Sequence, residues 1–474
     1  MPPHSFRDTY YRVEPDVYIP VQYSDVQNGI DPALEWVLNG CKDISQKEAD
    51  TPSPEPKNPM EIQVWDYSDG LLRSIEKYKE LHPDCPYTFK LQSFATADVS
   101  YVAVLEETLV NDEEWTPDIF LAESAFAYQY TKGELSQYVL PYKELGMNVD
   151  KLLREAEIPQ YAIDWGTNSE GELVGLGWQS TGAAFIYRRS IALDVWETDD
   201  PAVIGREIGP GWNQFFAAAE KLKSKGYSIV SGTDTLWRAF SNTAKKGWVV
   251  DSKLYIDPQR MAFLDIAKKL TDNEYCNGTR LWVDDWYAEM QGKGKKPVFG
   301  FMGPSCMVNY VIKSNSGGEK PGEGTYGDWA VCLPPESFAW GGEFVLVNKE
   351  TKHRDIIGDI LEWITLDSSE SGHPYLFASG EGYNQGIKDT VLSPVVMRKL
   401  DGSVDFLAGQ NMYDVFIPAM DMVNGNLLGE YNDYLEWIWL EQADRYTKGY
   451  ITKEEAVENF KRQVDEALYD IVVE

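Results

Sequence analysis

Sixteen tryptophans and 28 tyrosines stand against 18 phenylalanines in this chain of 474 residues. Phenylalanine is the purely apolar core aromatic, whereas tryptophan and tyrosine join a flat apolar face to a polar tip. Several of them sit beside a carboxylate or an amide: Trp65-Asp66-Tyr67, Trp178-Gln179, Asp234 before Trp237, Trp282 before Trp286, and Trp340 before Glu343. A flat ring next to a hydrogen-bonding group suits a sugar, whose ring face is apolar and whose hydroxyls need partners. We therefore expect Trp178, Trp237 and Trp340, then Trp65, Tyr67 and Trp286, to act as stacking platforms. Asp66, Gln179, Asp234 and Glu343 would bond hydroxyls, and a buried polar group left unpaired by a wrong sugar discriminates against it. For every one of these tryptophans, packing inside a lobe is the alternative; Trp282 and Trp363 are expected to pack there, and Asp285 and Glu362 to be solvated or capping.

The same residues could make bonds rather than hold them. A glycosidase needs two carboxylates facing one glycosidic bond, about 5–9.5 Å apart. Asp66, Asp234, Asp284 and Glu343 leave that reading open. The sequence contains no GxSxG, P-loop or HExxH pattern, no CxxC, and four histidines in no ligand spacing, so neither a cofactor nor a metal is expected.

The elements that must position these residues follow from periodicity. Ile62–Tyr67 alternates as a strand, Ser68 is placed to cap a helix carrying Leu71, Leu72, Ile75 and Tyr78 on one face, and further strands are read at Tyr87–Phe94 and Pro117–Leu121. Strand–helix alternation implies an α/β sheet with parallel pairing, and ligands sit beyond the carboxyl ends of such strands. Trp65, Asp66 and Tyr67 close the first strand. A second α/β run has a helix at Trp212–Lys225, a strand at Tyr227–Val230 and a helix opened by Asp257-Pro258. A buried strand, Pro297–Met302, stops at Gly303-Pro304. Near the end, Thr452 with Glu455 forms a capping box.

Charge narrows the partners. Lys and Arg number 43 against 76 Asp and Glu, a formal net charge of −33. Such an excess repels phosphate backbones and anionic lipid, which leaves neutral or cationic ligands and excludes nucleic acid. At the N-terminus Leu38-Asn-Gly-Cys41 has the look of a lipoprotein processing site, and Lys42–Met60, with four prolines, reads as a tether. The first 40 residues carry no charged segment followed by an apolar run. Cys41 is therefore a candidate lipid anchor without the export signal that would normally precede it.

Taken together, Ile62–Tyr67, Pro117-Asp-Ile-Phe, Ala183-Ala-Phe-Ile-Tyr-Arg-Arg189, Pro297–Pro304, Trp340-Gly-Gly and the helix after Lys349 resemble, in order, the carbohydrate-binding extracellular solute-binding proteins of ABC importers. The resemblance covers roughly residues 60 to 474. It implies an α/β fold of two lobes, 61–177 plus 336–392 and 178–335 plus 393–474, behind an extension at 1–60. It further implies that the two glycine–aromatic segments near 175–188 and 329–347 cross between the lobes as hinges. An oligosaccharide would bind between them in a monomer, close the lobes, and pass to a permease outside the cytoplasm; a sugar-sensing role for the same fold stays open.

Overall fold

The computed structural model describes residues 59–94, 99–111, 115–423, 429 and 431–473. Cys41 and the proline-rich stretch lie outside the described residues.

The first lobe is built on a five-stranded sheet of order β2-β1-β3-β10-β4. Its strands are β1 (Glu61–Asp66), β2 (Thr88–Ser93), β3 (Ile119–Glu123), β4 (Gly175–Leu176) and, from much later in the chain, β10 (Glu343–Val347). β1 pairs in parallel with both β2 and β3, as alternation with helices requires, while β10 lies antiparallel to β3 and β4. In β1 Ile62 and Val64 are fully buried, and the helix that follows, α1 (Gly70–Leu81), buries Leu71, Leu72, Ile75 and Tyr78 on the expected face.

The cap of α1 is shared. The Ser68 hydroxyl accepts from the first helical amide, Gly70 N, at 3.2 Å, and the carboxylate of Asp66 accepts from the next two, at 2.7 Å from Leu71 N and 3.2 Å from Leu72 N. It also accepts from Ser68 N and Oγ at 2.7 and 3.0 Å. A carboxylate meets the positive helix end better than a hydroxyl does.

The second lobe holds the antiparallel sheet β8-β5-β9, with β5 at Ala184–Arg188, β8 at Gly300–Gly303 and β9 at Trp329–Cys332; β6 and β7 (Val249–Val250, Lys253–Leu254) form a small hairpin. Parallel bridges Ser228–Val298 and Val230–Cys276 extend this lobe beyond β8. Among its helices α2 (Trp237–Thr243), α3 (Pro258–Asp272), α4 (Asp284–Met290), α5 (Asn432–Thr447) and α6 (Lys453–Ala467) bear on the argument. The capping box of α6 is present in both directions, Thr452 with Glu455.

Between the sheets the chain crosses at 177–183 and again at 333–342. The crossings hydrogen-bond each other, Ala183 N to Phe338 O at 2.9 Å and Trp340 N to Thr181 O at 3.0 Å. A third segment joins them, with Leu392 N donating to Trp178 O at 2.8 Å and Ser180 N to Thr390 O at 3.3 Å. Close approach here demands glycine: a Cβ on Gly177 would stand 2.2 Å from the Glu343 carbonyl oxygen. Gly341 and Gly342 turn the second crossing into β10 at φ 75 and 123, which side chains resist.

Two hydrophobic cores result. One gathers the first sheet and one face of the second, including Ala184 and Ile186; the other takes Phe185 and Tyr187 with the helices of the second lobe. Successive residues of β5 thus serve different cores.

Candidate functional site

Where the lobes meet, a cavity of about 130 Å³ is lined by both lobes and by the second crossing. The first lobe contributes Glu123, at the carboxyl end of β3, and Trp165. The crossing contributes Trp340 and Gly341, and the second lobe Arg238, Asn242 and Asp433. This is the position that strand-end logic assigns to a ligand in an α/β sheet.

Each wall is held by specific contacts. Asn242, at the end of α2, accepts from Ala339 N at 2.9 Å and so pins the crossing beside Trp340. Arg238 is paired with buried Glu436 at 2.7 Å. Glu436 also accepts from Ser241 Oγ at 2.5 Å and Asn432 Nδ2 at 3.1 Å. The guanidinium is therefore neutralised and fixed in direction, a steady donor rather than a free charge.

Trp340 is half-buried at the boundary of the two cores. Against it, ring centroids 5.8 Å apart, stands Trp282, 52% exposed. Trp282 also adopts φ 66, a left-handed conformation that a bulky residue pays for in strain. An exposed tryptophan in a strained conformation thus stands edge-on against a second tryptophan at the lobe junction, on a residue that sequence reasoning placed in the interior.

A group of acidic and phenolic side chains lies at the same edge of the first sheet. Glu343 and Glu123 are direct cross-strand partners, so their side chains share a face. Burial, then Asp66 and Glu123, push the Glu343 carboxyl up to about 8, with a Ser68 hydrogen bond opposing. Asp433 is pushed up to about 7, first by loss of solvation and then by Glu436, with Arg238 opposing. The Tyr67 hydroxyl is buried with no hydrogen-bond partner, and burial followed by Glu343 and Glu123 holds it well above the usual phenol range. Trp165 is 7% exposed, and its indole N–H is likewise without a partner.

The other expected residues lie elsewhere. Trp65 is buried against Trp115 and Phe94, and Trp178, 2% exposed, abuts His373 edge-on. Trp237 stacks on Trp248 deep in the second lobe, and Trp286 is fully buried beside Phe301. All four give their ring faces to cores, Trp65 and Trp286 because strand and helix periodicity points them inward and Trp178 because its crossing is flanked on both sides, and they offer no face to the cleft in this structure. Asp66 is fully engaged by the α1 cap, and Gln179 donates to buried Asp389 at 2.9 Å. Asp234 accepts from Leu281 N at 2.9 Å and lines a separate pocket of about 70 Å³ in the second lobe; burial raises its pKa. Tyr67, Trp340 and Glu343 remain at the junction. Sequence reasoning missed Glu123, Trp165, Arg238, Asp433 and Trp282. Of these only Glu123, directly after a strand in a parallel sheet, carried a local signal. Among the described residues no cluster of three or more His, Cys, Asp or Glu is placed to hold a metal ion.

Comparison with known proteins bears on this arrangement. Residues 74–371 match the family described as bacterial extracellular solute-binding protein. No curated protein matches the chain. Solved structures similar to it include an extracellular solute-binding protein family 1 member, with a TM-score of 0.72 at 17% identity, covering 86% of this chain and 100% of that one. The sugar-binding protein MalE of Xanthomonas citri gives 0.64 at 13%, covering 86% and 97%. The galacto-N-biose-/lacto-N-biose I-binding protein of a Bifidobacterium longum ABC transporter gives 0.60 at 17%, covering 87% and 98%. These likenesses share the two-lobed fold. With the family match spanning more than half its length, the chain belongs to the bacterial extracellular solute-binding proteins.

Proposed function

We propose that this protein captures an oligosaccharide in the cleft between its lobes and delivers it to the permease of an ABC importer. The observation that carries the reading is the pair Trp340 and Trp282, set beside polar groups from both lobes. Trp340 offers a sugar ring its apolar face and Trp282 a second one, while Asn242, Arg238 and the junction carboxylates meet hydroxyls. Structural neighbours described as binding lacto-N-biose, β-1,6-galactobiose, acarbose and maltose support the ligand class. Capture needs no chemistry, only better contact with a closed arrangement than with an open one. The crossings at 177–183 and 333–342, with glycines at 341 and 342, are the proposed hinges. We further assign 61–177 plus 336–392 to one lobe and 178–335 plus 393–474 to the other, a monomeric state, and an extracytoplasmic location, either lipid-anchored at the cell surface through Cys41 or periplasmic. Mass spectrometry of the N-terminal peptide tests the last.

Tryptophan fluorescence and calorimetry against a panel of oligosaccharides, with the sugars then chromatographed, test the capture. Saturable binding at micromolar or tighter affinity with intact sugar supports it. A second reading has its own observation: Glu343, a carboxyl held protonated near neutrality beside Glu123, is how a glycosidase presents its acid. Members of the family bind rather than hydrolyse, and shortened sugar in the same tubes would replace capture with hydrolysis.

A further inference from the structure

The cavity at the junction is smaller than the ligand assigned to it. It holds about 130 Å³, whereas sites that enclose a small molecule run to about 300–1,000 Å³. An oligosaccharide seated against Trp340 therefore continues outside it, and the surface at the cavity rim decides where.

On the second-lobe side that rim is the first turn of α5, where Asn432 and Asp433 line the cavity. Trp437 lies one turn further on and on the same side as Asp433, since residues four apart share a helix face. Helical side chains lean towards the N-terminus of their helix, so each covers the turn before its own Cα. The ring of Trp437 accordingly reaches back towards the cavity, in contact with Tyr434: the two rings are stacked at 22°, with centroids 6.3 Å apart.

The fold gains little from an indole at this position. Trp437 is 59% exposed and belongs to neither hydrophobic core, whereas Trp439, two residues on, is enclosed in the second. Stacking within one helix contributes only a few tenths of a kcal/mol. Beyond Trp437 the outer side of α5 carries Glu441, Asp444 and Arg445, so the aromatic surface is set at the end of the helix that borders the cavity. A flat apolar face next to the Asp433 carboxylate repeats the combination that suits a sugar ring and its hydroxyls.

We propose that Tyr434 and Trp437 form an outer subsite on α5, which stacks one further ring of the oligosaccharide where the chain leaves the cavity beside Asp433. The proposal rests on the capture reading and narrows its ligand to chains long enough to extend past the cavity.

The test is a chain-length series, di- to hexasaccharide, of whichever linkage binds best in the oligosaccharide panel, titrated by calorimetry into the wild type and Trp437→Ala. Affinity should rise with length up to the unit that reaches α5 and level off beyond it. Trp437→Ala should leave shorter chains within about twofold of wild type and weaken those that reach α5 about three- to tenfold, so that its affinities level off one unit earlier. Trp437→Phe, which keeps a flat face, should recover most of the loss, and thermal melting shows that each variant is folded. An equal loss at every length, no loss at any length, or a wild type whose affinity does not change with length overturns the proposal while the capture reading stands. If no sugar of any length binds, capture itself fails and the outer subsite with it.

Discussion

Trp178 and Trp340 stand on neighbouring crossing segments that are hydrogen-bonded to each other, and their environments differ sharply. Trp178 is enclosed in the first core, against His373 and within reach of Gly70. Trp340 is half-buried at a cavity that both lobes line. The backbone makes the difference. Around Trp178 the segment is flanked on both sides, by the second crossing and by the stretch at 390–392, so its side chain can only enter the protein. Trp340 is followed by two glycines in positive φ that swing the chain away and leave the ring at the edge. Position relative to a sheet edge, rather than residue type, separates the enclosed tryptophan from the one at the cavity here.

Substitutions can break this contrast or sharpen it. The largest effect is expected from Trp178→Ala, which removes a fully enclosed indole and should lower stability by about 3–5 kcal/mol, read from the denaturant midpoint. Trp340→Ala should instead move that midpoint little and weaken sugar binding by about 1.5–3 kcal/mol, roughly ten- to a hundredfold, in calorimetry. Equal stability losses in both variants would erase the distinction. Smaller effects belong to Trp282. Its alanine variant should lose about fivefold in affinity, and its glycine variant should be more stable than the alanine one by about 1 kcal/mol, because φ 66 suits glycine. The reverse order would show that the left-handed turn is not maintained in solution.

The last test is a pH slope. The folded protein holds a proton on Glu343 up to about pH 8, whereas the unfolded chain releases it near the ordinary 4.5. The folded state then binds more protons over that interval, so stability is greatest at its acid end and is lost as pH rises towards 8. Asp433 acts in the same direction up to about 7. Buried His373, lowered to about 3, acts oppositely below 6.5, so the clean window is pH 6.5–8. Melting temperature should fall across it, and Glu343→Gln should flatten the fall; an unchanged slope in that variant would place the titrating group elsewhere.

Much of the framework was legible in the chain. The alternation in β1, the apolar face of α1 and the Thr452–Glu455 box are local patterns, and local patterns are what a sequence displays. The two glycine–aromatic segments also stood out, since close backbone approach leaves a compositional trace, while their role as crossings came from the family resemblance alone. The site was legible only in part. Trp282 and Trp286 lie four residues apart, flanked by the same acids, yet one is half exposed and the other fully buried. What divides them is a single left-handed residue whose side chain is not glycine, and nothing in the residue type announces it. Glu123 and Glu343 are partners across 220 positions of chain, and Asp433 comes beside Glu123 only once both lobes are in place. Such juxtapositions belong to the topology.

β5 has a consequence for how the molecule comes apart. Its odd and even residues are committed to different cores, so neither core can open without pulling out a strand that the other needs. Two lobes of this size, each with its own core, would otherwise melt as independent units. Sharing one strand ties their fates, and heat should take both in a single cooperative transition.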